Sequence, residues 1–152
     1  MSTKSIRPRR SFIFSPGLNP EMYPKALASG ADIVCVELED GIAPKDKAAA
    51  RTNAIKLFTE PQADDDVERI VRINCLREQF GLLDVQAVLV TDTPPPALML
   101  PKVRSPDEVK WLDDLLTERA RVGGGGYSAM TGLKAVSTRQ ARTRVALSCT
   151  RT

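Results

Sequence analysis

The chain has no histidine. That removes the side chain that most often acts as a general base near neutral pH and the commonest ligand to transition metals. Any chemistry must rest on carboxylates, arginine, lysine, hydroxyls or a hard cation bound through oxygen. Cysteine is scarce. Cys35, Cys75 and Cys149 are odd in number and show no C-x-x-C spacing, so buried or free thiols are expected over a disulfide framework or a zinc site. No apolar run approaches the roughly 20 residues needed to cross a bilayer. The basic segment "MSTKSIRPRR" is followed only by "SFIF", too short for the core of a signal peptide. The chain therefore reads as cytoplasmic, with no membrane partner.

Acidic residues are missing from one region altogether. All 19 lie at or before Glu118. Residues 1–118 carry 15 Lys and Arg against those 19 acids, a net charge of −4, and residues 119–152 carry seven basic residues and no acid, a charge of +7. The basic residues of the second region are dispersed, and Tyr127 is the one aromatic among them. Nucleic-acid recognition uses clustered cations with stacking platforms, so no nucleic-acid partner is expected.

What is present is an alternating pattern in a chain of 152 residues, near the size of one domain. "SFIFSPG" (11–17) reads as a buried strand ending in a Pro-Gly turn. "NPEMYPKALASG" (19–30) reads as a helix capped by Asn19 and closed by Gly30. "DIVCVEL" (32–38) is a second strand, and "KDKAAARTNAIKLFTE" (45–60) a helix with Ala49, Ala50, Ile55 and Leu57 available for its inner face. "ERIVRIN" (68–74), "REQFGLLDVQAVLV" (77–90), "ALMLPKV" (97–103) and "SPDEVKWLDDLLTERA" (105–120) continue the alternation. Ser105, Pro106 and Glu108 open the last helix in the pattern of a capping box. Four βα units imply a parallel sheet with right-handed crossovers. Either an open doubly wound sheet or part of a (β/α)8 barrel fits. Residues 122–152, with four consecutive glycines, break the pattern. "GGGGYSAMTGLK" is no phosphate loop, because it lacks the GK[ST] ending.

Polar residues collect where the strands end: Ser15, Glu39 and Asp40, Arg72 and Asn74, and Lys102. In parallel α/β folds ligands bind beyond the carboxyl ends of the strands, so these side chains are the candidate site. The plainer readings are a turn for Asp40-Gly41 and an ion pair for Arg72 with Glu39 or Asp40. An arginine within a strand requires an anionic partner from protein or ligand.

The segments "RRSFIFSPG", "KALASGADIVCVELEDGIAPKDKAAAR", "VRIN" and "LMLPKV-SPDEV" resemble the N-terminal half of the HpcH/HpaI aldolase and citrate lyase β-subunit family, in particular its CoA-ester branch of citryl-CoA and malyl-CoA lyases. The resemblance covers about residues 9–120. It implies a TIM barrel, here about four N-terminal βα units in residues 1–121, and a Mg²⁺-dependent carbon–carbon lyase that cleaves or forms a CoA thioester with a small α-keto acid. It implies that Arg72 grips the keto-acid carboxylate, and that Glu39 and Asp40 are an acidic pair near the metal, acting through its water ligands. Lys102 and Asn74 would support them, and Phe14 and Lys25 would contact CoA. Asn19 stands where malyl-CoA lyases often carry an arginine for CoA phosphate. The direct metal ligands are expected in a second half of the barrel, and family members are homo-oligomeric. Residues 122–152 are expected to be a basic tail foreign to the family, disordered or frame-shifted, and the chain a truncated, inactive copy. The alternative is a non-catalytic half-barrel that binds an acyl-CoA or a partner subunit.

Overall fold

The computed structural model describes residues 9–63, 65–122 and 134–137. Its elements alternate as expected: β1 (Phe12–Pro16), α1 (Tyr23–Leu27), β2 (Ile33–Glu37), α2 (Lys47–Lys56), β3 (Glu68–Arg72), α3 (Gln79–Val90), β4 (Ala97–Leu100) and α4 (Pro106–Val122), then β5 (Lys134–Ser137). The strands form one sheet in the order β1-β2-β3-β4-β5, every neighbouring pair parallel. β1 and β5 are its outer strands. β5 was not expected. It lies within residues 122–152, where the sequence offers only the short "KAVS", and it is paired with β4 from Ala97↔Lys134 to Leu100↔Ser137. Among the described residues no helix is long and apolar enough to cross a membrane.

The period of two along each strand divides its side chains between two faces. Val34, Val36, Val71, Leu98 and Leu100 pack with Ala50 and Ala54 of α2, Val85 and Val88 of α3, and Leu112 and Leu116 of α4 in the main core. Ile33, Cys35, Ile70, Ala97 and Met99 form a second, smaller cluster on the opposite face. Those five residues are buried. On the outer strand the same face ends in Phe12 and Phe14, which are exposed and meet edge to face at 4.9 Å.

Local chemistry shifts several element boundaries. The expected helix over 19–30 is a 3₁₀ turn (Pro20–Met22) followed by the short α1. Pro24 lacks an N–H and falls in the first turn of α1, so the helix restarts there. The Asn19 side chain does not cap it; its Nδ2 donates to Glu21 Oε1 at 3.3 Å. Gly30, at φ 78°, supplies the left-handed residue that lets the chain turn into β2. In α2 the inner face is Lys47, Ala50 and Ala54, while Ala49 is exposed. α4 starts at Pro106 with Ser105 Oγ accepting from the Asp107 N–H at 3.0 Å. The reciprocal half of the capping box does not form, because Glu108 is engaged by Arg77.

Candidate functional site

The site is built where β2, β3 and β4 end. Glu37 is the last residue of β2 and lies in register with Arg72, the last residue of β3. Parallel partners in register present their side chains to the same face. This places a guanidinium directly beside a carboxylate: Arg72 Nη2 is ion-paired with Glu37 Oε2. The other oxygen of Glu37 accepts from the Glu39 main-chain N–H. Arg72 Nε lies 3.7 Å from Glu39 Oε2, and Nη2 lies 4.0 Å from Asp40 Oδ2. The guanidinium also stacks on Phe14 from β1, with Cζ 4.7 Å from the ring centroid. Burial works against the Arg72 cation, and the Glu37 and Glu39 carboxylates outweigh it, so its pKa is raised. Arg72 Nε is a buried donor with no hydrogen-bond acceptor, the kind of unsatisfied group that folded proteins keep at functional positions.

Lys102 approaches from the opposite side. Its Nζ lies 2.7 Å from Glu39 Oε1 and 3.0 Å from Asp40 Oδ1. The hydrogen bonds to Glu39 and Asp40 raise the Lys102 pKa. The same contact with Lys102 lowers that of Asp40. Glu39 is 4% exposed, whereas the Asp40 side chain is largely open to solvent. The loop that carries both acids is fastened from below. Lys47, 7% exposed at the start of α2, donates through Nζ to the main-chain carbonyls of Leu38 (2.8 Å) and Glu39 (2.5 Å). An ammonium is the natural donor for two carbonyls left over at a strand end. Burial lowers the Lys47 pKa, and the carboxylates of Asp84, Glu39 and Glu37 act in the opposite sense.

The structure thus brings Arg72, Glu39, Asp40 and Lys102 together, with Phe14 under the arginine. Asn74 lies elsewhere. It is 1% exposed, and both its main-chain N–H (2.8 Å) and its Nδ2 (2.7 Å) donate to Asp84 Oδ2 on α3. Asp84 Oδ1 accepts from Arg51 Nε at 2.6 Å, so Asn74 belongs to a buried brace linking β3, α2 and α3. Lys25 is exposed on α1. The buried Ser15 Oγ has no hydrogen-bond partner. Cys35 sits under the site in the smaller cluster, and burial pushes its thiol pKa up, which excludes a thiolate nucleophile.

Sequence reasoning missed Glu37, the residue closest to the candidate clamp. Its signal was parity: in "VCVELED", residues 37 and 39 are two apart and point the same way. Lys47 and Arg51 were visible only as charges on a helix, and Asp84 only as the one charge within α3.

Glu39 and Asp40 are the residues that the resemblance sets beside a metal. In the fold their partners are the cations Lys102 and Arg72. Among the described residues no group of three or more histidine, cysteine, aspartate or glutamate side chains is arranged to hold a metal ion. Two carboxylates that share the Lys102 ammonium do not make the six-oxygen shell of Mg²⁺. A separate surface groove between α1 and α2, lined by Tyr23, Leu27, Lys56, Leu57 and Gln62, contains none of these residues.

Comparison with known proteins identifies the family and the fold. The profile of the HpcH/HpaI aldolase/citrate lyase family matches residues 10–147, running through most of the segment set apart by its composition. The L-malyl-CoA/beta-methylmalyl-CoA lyase of Cereibacter sphaeroides (strain ATCC 17025) is 37% identical over 119 residues, covering 78% of this chain and 37% of that protein. A citrate lyase beta subunit from M. tuberculosis, solved with oxaloacetate and magnesium, superposes with a TM-score of 0.57 at 29% identity, covering 85% of this chain and 59% of that one. A Mycobacterium tuberculosis CitE structure with magnesium, acetoacetate and coenzyme A superposes with a TM-score of 0.56 at 33% identity, covering 68% and 37%. The chain spans between 31% and 39% of the length of the curated relatives it matches.

Proposed function

The chain belongs to the HpcH/HpaI aldolase/citrate lyase family, and on that premise we propose that it carries the keto-acid end of a carbon–carbon lyase site acting on a CoA thioester. The observation that supports this is Arg72 at the end of β3. It is ion-paired with Glu37 and lies over the ring of Phe14, with Glu39, Asp40 and Lys102 around it. A planar guanidinium is suited to a carboxylate because it offers paired donors in a fixed plane. Glu37 fixes that plane. Lys102 and Arg72 offset two of the three carboxylate charges of Glu37, Glu39 and Asp40, so a bound cation such as Mg²⁺ would offset the remainder as an anionic keto acid approaches. The exposed Phe14 and Lys25 supply an apolar surface and a cation for the CoA thioester. In this reading the protein acts in the cytoplasm.

Mg²⁺ is the ion proposed for the family reaction, where it would stabilise negative charge on the keto acid and the enolate. Glu39 and Asp40 would meet it only through water, and its direct ligands are not among the described residues. This reading assigns the described residues the binding of substrate and not its turnover. That same observation favours the second reading, a non-catalytic half-barrel that binds an acyl-CoA or a partner subunit. Purified chain incubated with malyl-CoA or citryl-CoA, with and without Mg²⁺, should release no keto acid. Mg²⁺-dependent cleavage would overturn the claim that the described residues lack a complete metal site.

A further inference from the structure

Lys102 has an unusual backbone. At φ 51° it is the one non-glycine residue in the left-handed region among those described. A side chain with a Cβ is disfavoured there and stays only when its surroundings over-determine it. Pro101 before it ends β4, and the turn that follows leads into α4. Something must hold this turn, and the contact comes from Arg77, in the connection between β3 and α3. Arg77 Nη2 donates to the Lys102 main-chain carbonyl at 2.8 Å. Its Nη1 is paired with Glu108 Oε1, in the first turn of α4, at 2.5 Å. One planar fork therefore grips both sides of the β4–α4 turn.

We propose that Arg77 is a positioning residue of this site: anchored by Glu108, it holds the Lys102 main chain in its left-handed turn so that the Lys102 ammonium bridges Glu39 and Asp40. Arg77 makes no contact with either acid in the ion pairs of the site; it acts only through Lys102. If the carbonyl anchor is lost, the turn relaxes toward an ordinary φ. The Cα–Cβ direction of Lys102 then rotates, and its Nζ leaves the two carboxylates. The bridge also fixes the spacing of Glu39 and Asp40, which carry the functional reading above. The proposal rests on that reading only in taking these acids as part of a site.

Amine-selective acylation of the native chain, quantified lysine by lysine by mass spectrometry, tests it without any need for turnover. Lys102, Lys25 and Lys45 all lie on exposed residues, so accessibility alone predicts similar rates. The double pairing holds the Lys102 ammonium against two carboxylates, so Lys102 should react several-fold more slowly than Lys25 and Lys45. In Arg77→Met its rate should rise several-fold while those of Lys25 and Lys45 stay unchanged. Glu108→Ala, which removes only the anchor on the exposed start of α4, should raise it by a smaller factor. Arg77→Lys, which cannot reach the carbonyl and Glu108 with one fork, should resemble Arg77→Met. If Arg77→Met fails to fold, Glu108→Ala and the unsubstituted chain still decide the matter. A Lys102 as reactive as Lys45 in the unsubstituted chain, or unchanged in a folded Arg77→Met or Glu108→Ala variant, overturns the proposal. A Lys102 that is protected and then released, in a chain that binds no keto acid, would sink the lyase reading and leave this one standing.

Discussion

Asp84 is the acid that holds the buried brace between β3, α2 and α3, and Asp84→Ala is the substitution with the most calculable cost. Asp84 is 1% exposed and accepts from the Asn74 N–H, Asn74 Nδ2 and Arg51 Nε at 2.8, 2.7 and 2.6 Å. Alanine removes all three acceptor contacts. The Arg51 side chain, 14% exposed, loses its carboxylate, and breaking a buried ion pair from one side costs about 3–5 kcal/mol. The two Asn74 donors, on a residue 1% exposed, lose their acceptor at about 1–3 kcal/mol each. These terms overlap, because water can enter the space left and Arg51 can swing outward. A net loss of roughly 4–6 kcal/mol is the reasonable sum. Domains of this size have about 5–15 kcal/mol in all, so the variant should sit near the edge of folding. Urea unfolding followed by far-ultraviolet circular dichroism measures it, with Arg51→Met and the double variant closing a cycle. The coupling between the two residues should be about 2 kcal/mol. A loss below about 1 kcal/mol with an unchanged m-value would refute the reasoning, since it would mean that water satisfies all three donors.

Two further outcomes follow from packing and charge. Gly81 in α3 has no room for a side chain, because an added Cβ would overlap the Cys75 carbonyl and approach Asn74 O to 2.8 Å; Gly81→Ala should cost about 3 kcal/mol or more in the same assay, and a variant of native stability would show that α3 can move away freely. Asp32 accepts from the Arg10 side chain and from the Arg10 and Ser11 N–H groups, and these hold its carboxyl well below the usual carboxylate range. A depressed folded pKa means that its contribution to stability is present above the unfolded value near 4 and is lost only as pH falls through the folded one. Carboxyl-carbon NMR should find Asp32 still ionised at pH 3, and an ordinary midpoint near 4 would contradict the contacts.

The first four strands were legible because buried parallel strands are written as short apolar runs, while their order was open between two architectures until the family resemblance implied a barrel; the functional rim was legible because polar residues interrupt those runs at their ends. Arg72, Glu39, Asp40 and Lys102 do meet. What could not be read is everything that depends on which elements approach one another. Lys47 and Arg51 look like ordinary charges on a helix until α2 packs under β2 and one caps the Leu38 and Glu39 carbonyls while the other meets Asp84. Glu108 satisfies the capping-box pattern locally, yet Arg77, 31 residues away, takes its carboxylate. Asn74 shares the strand parity of Arg72, but the chain turns after β3 and delivers it to Asp84. β5 has too short a pattern to declare itself and is specified by its pairing with β4. The compositional break after Glu118 was also a poor guide to family limits, since the match continues to residue 147.

The central claim is that the rim around Arg72 binds an α-keto acid. The most direct measurement is a titration of the isotopically labelled chain with oxaloacetate, observed at the arginine Nε–Hε resonances. The account expects a saturable shift at Arg72. Binding should weaken by about 1–3 kcal/mol in Arg72→Lys, where a two-pronged donor becomes a point charge. Equal affinity in the two proteins, or shifts confined to residues of the groove between α1 and α2, would contradict it.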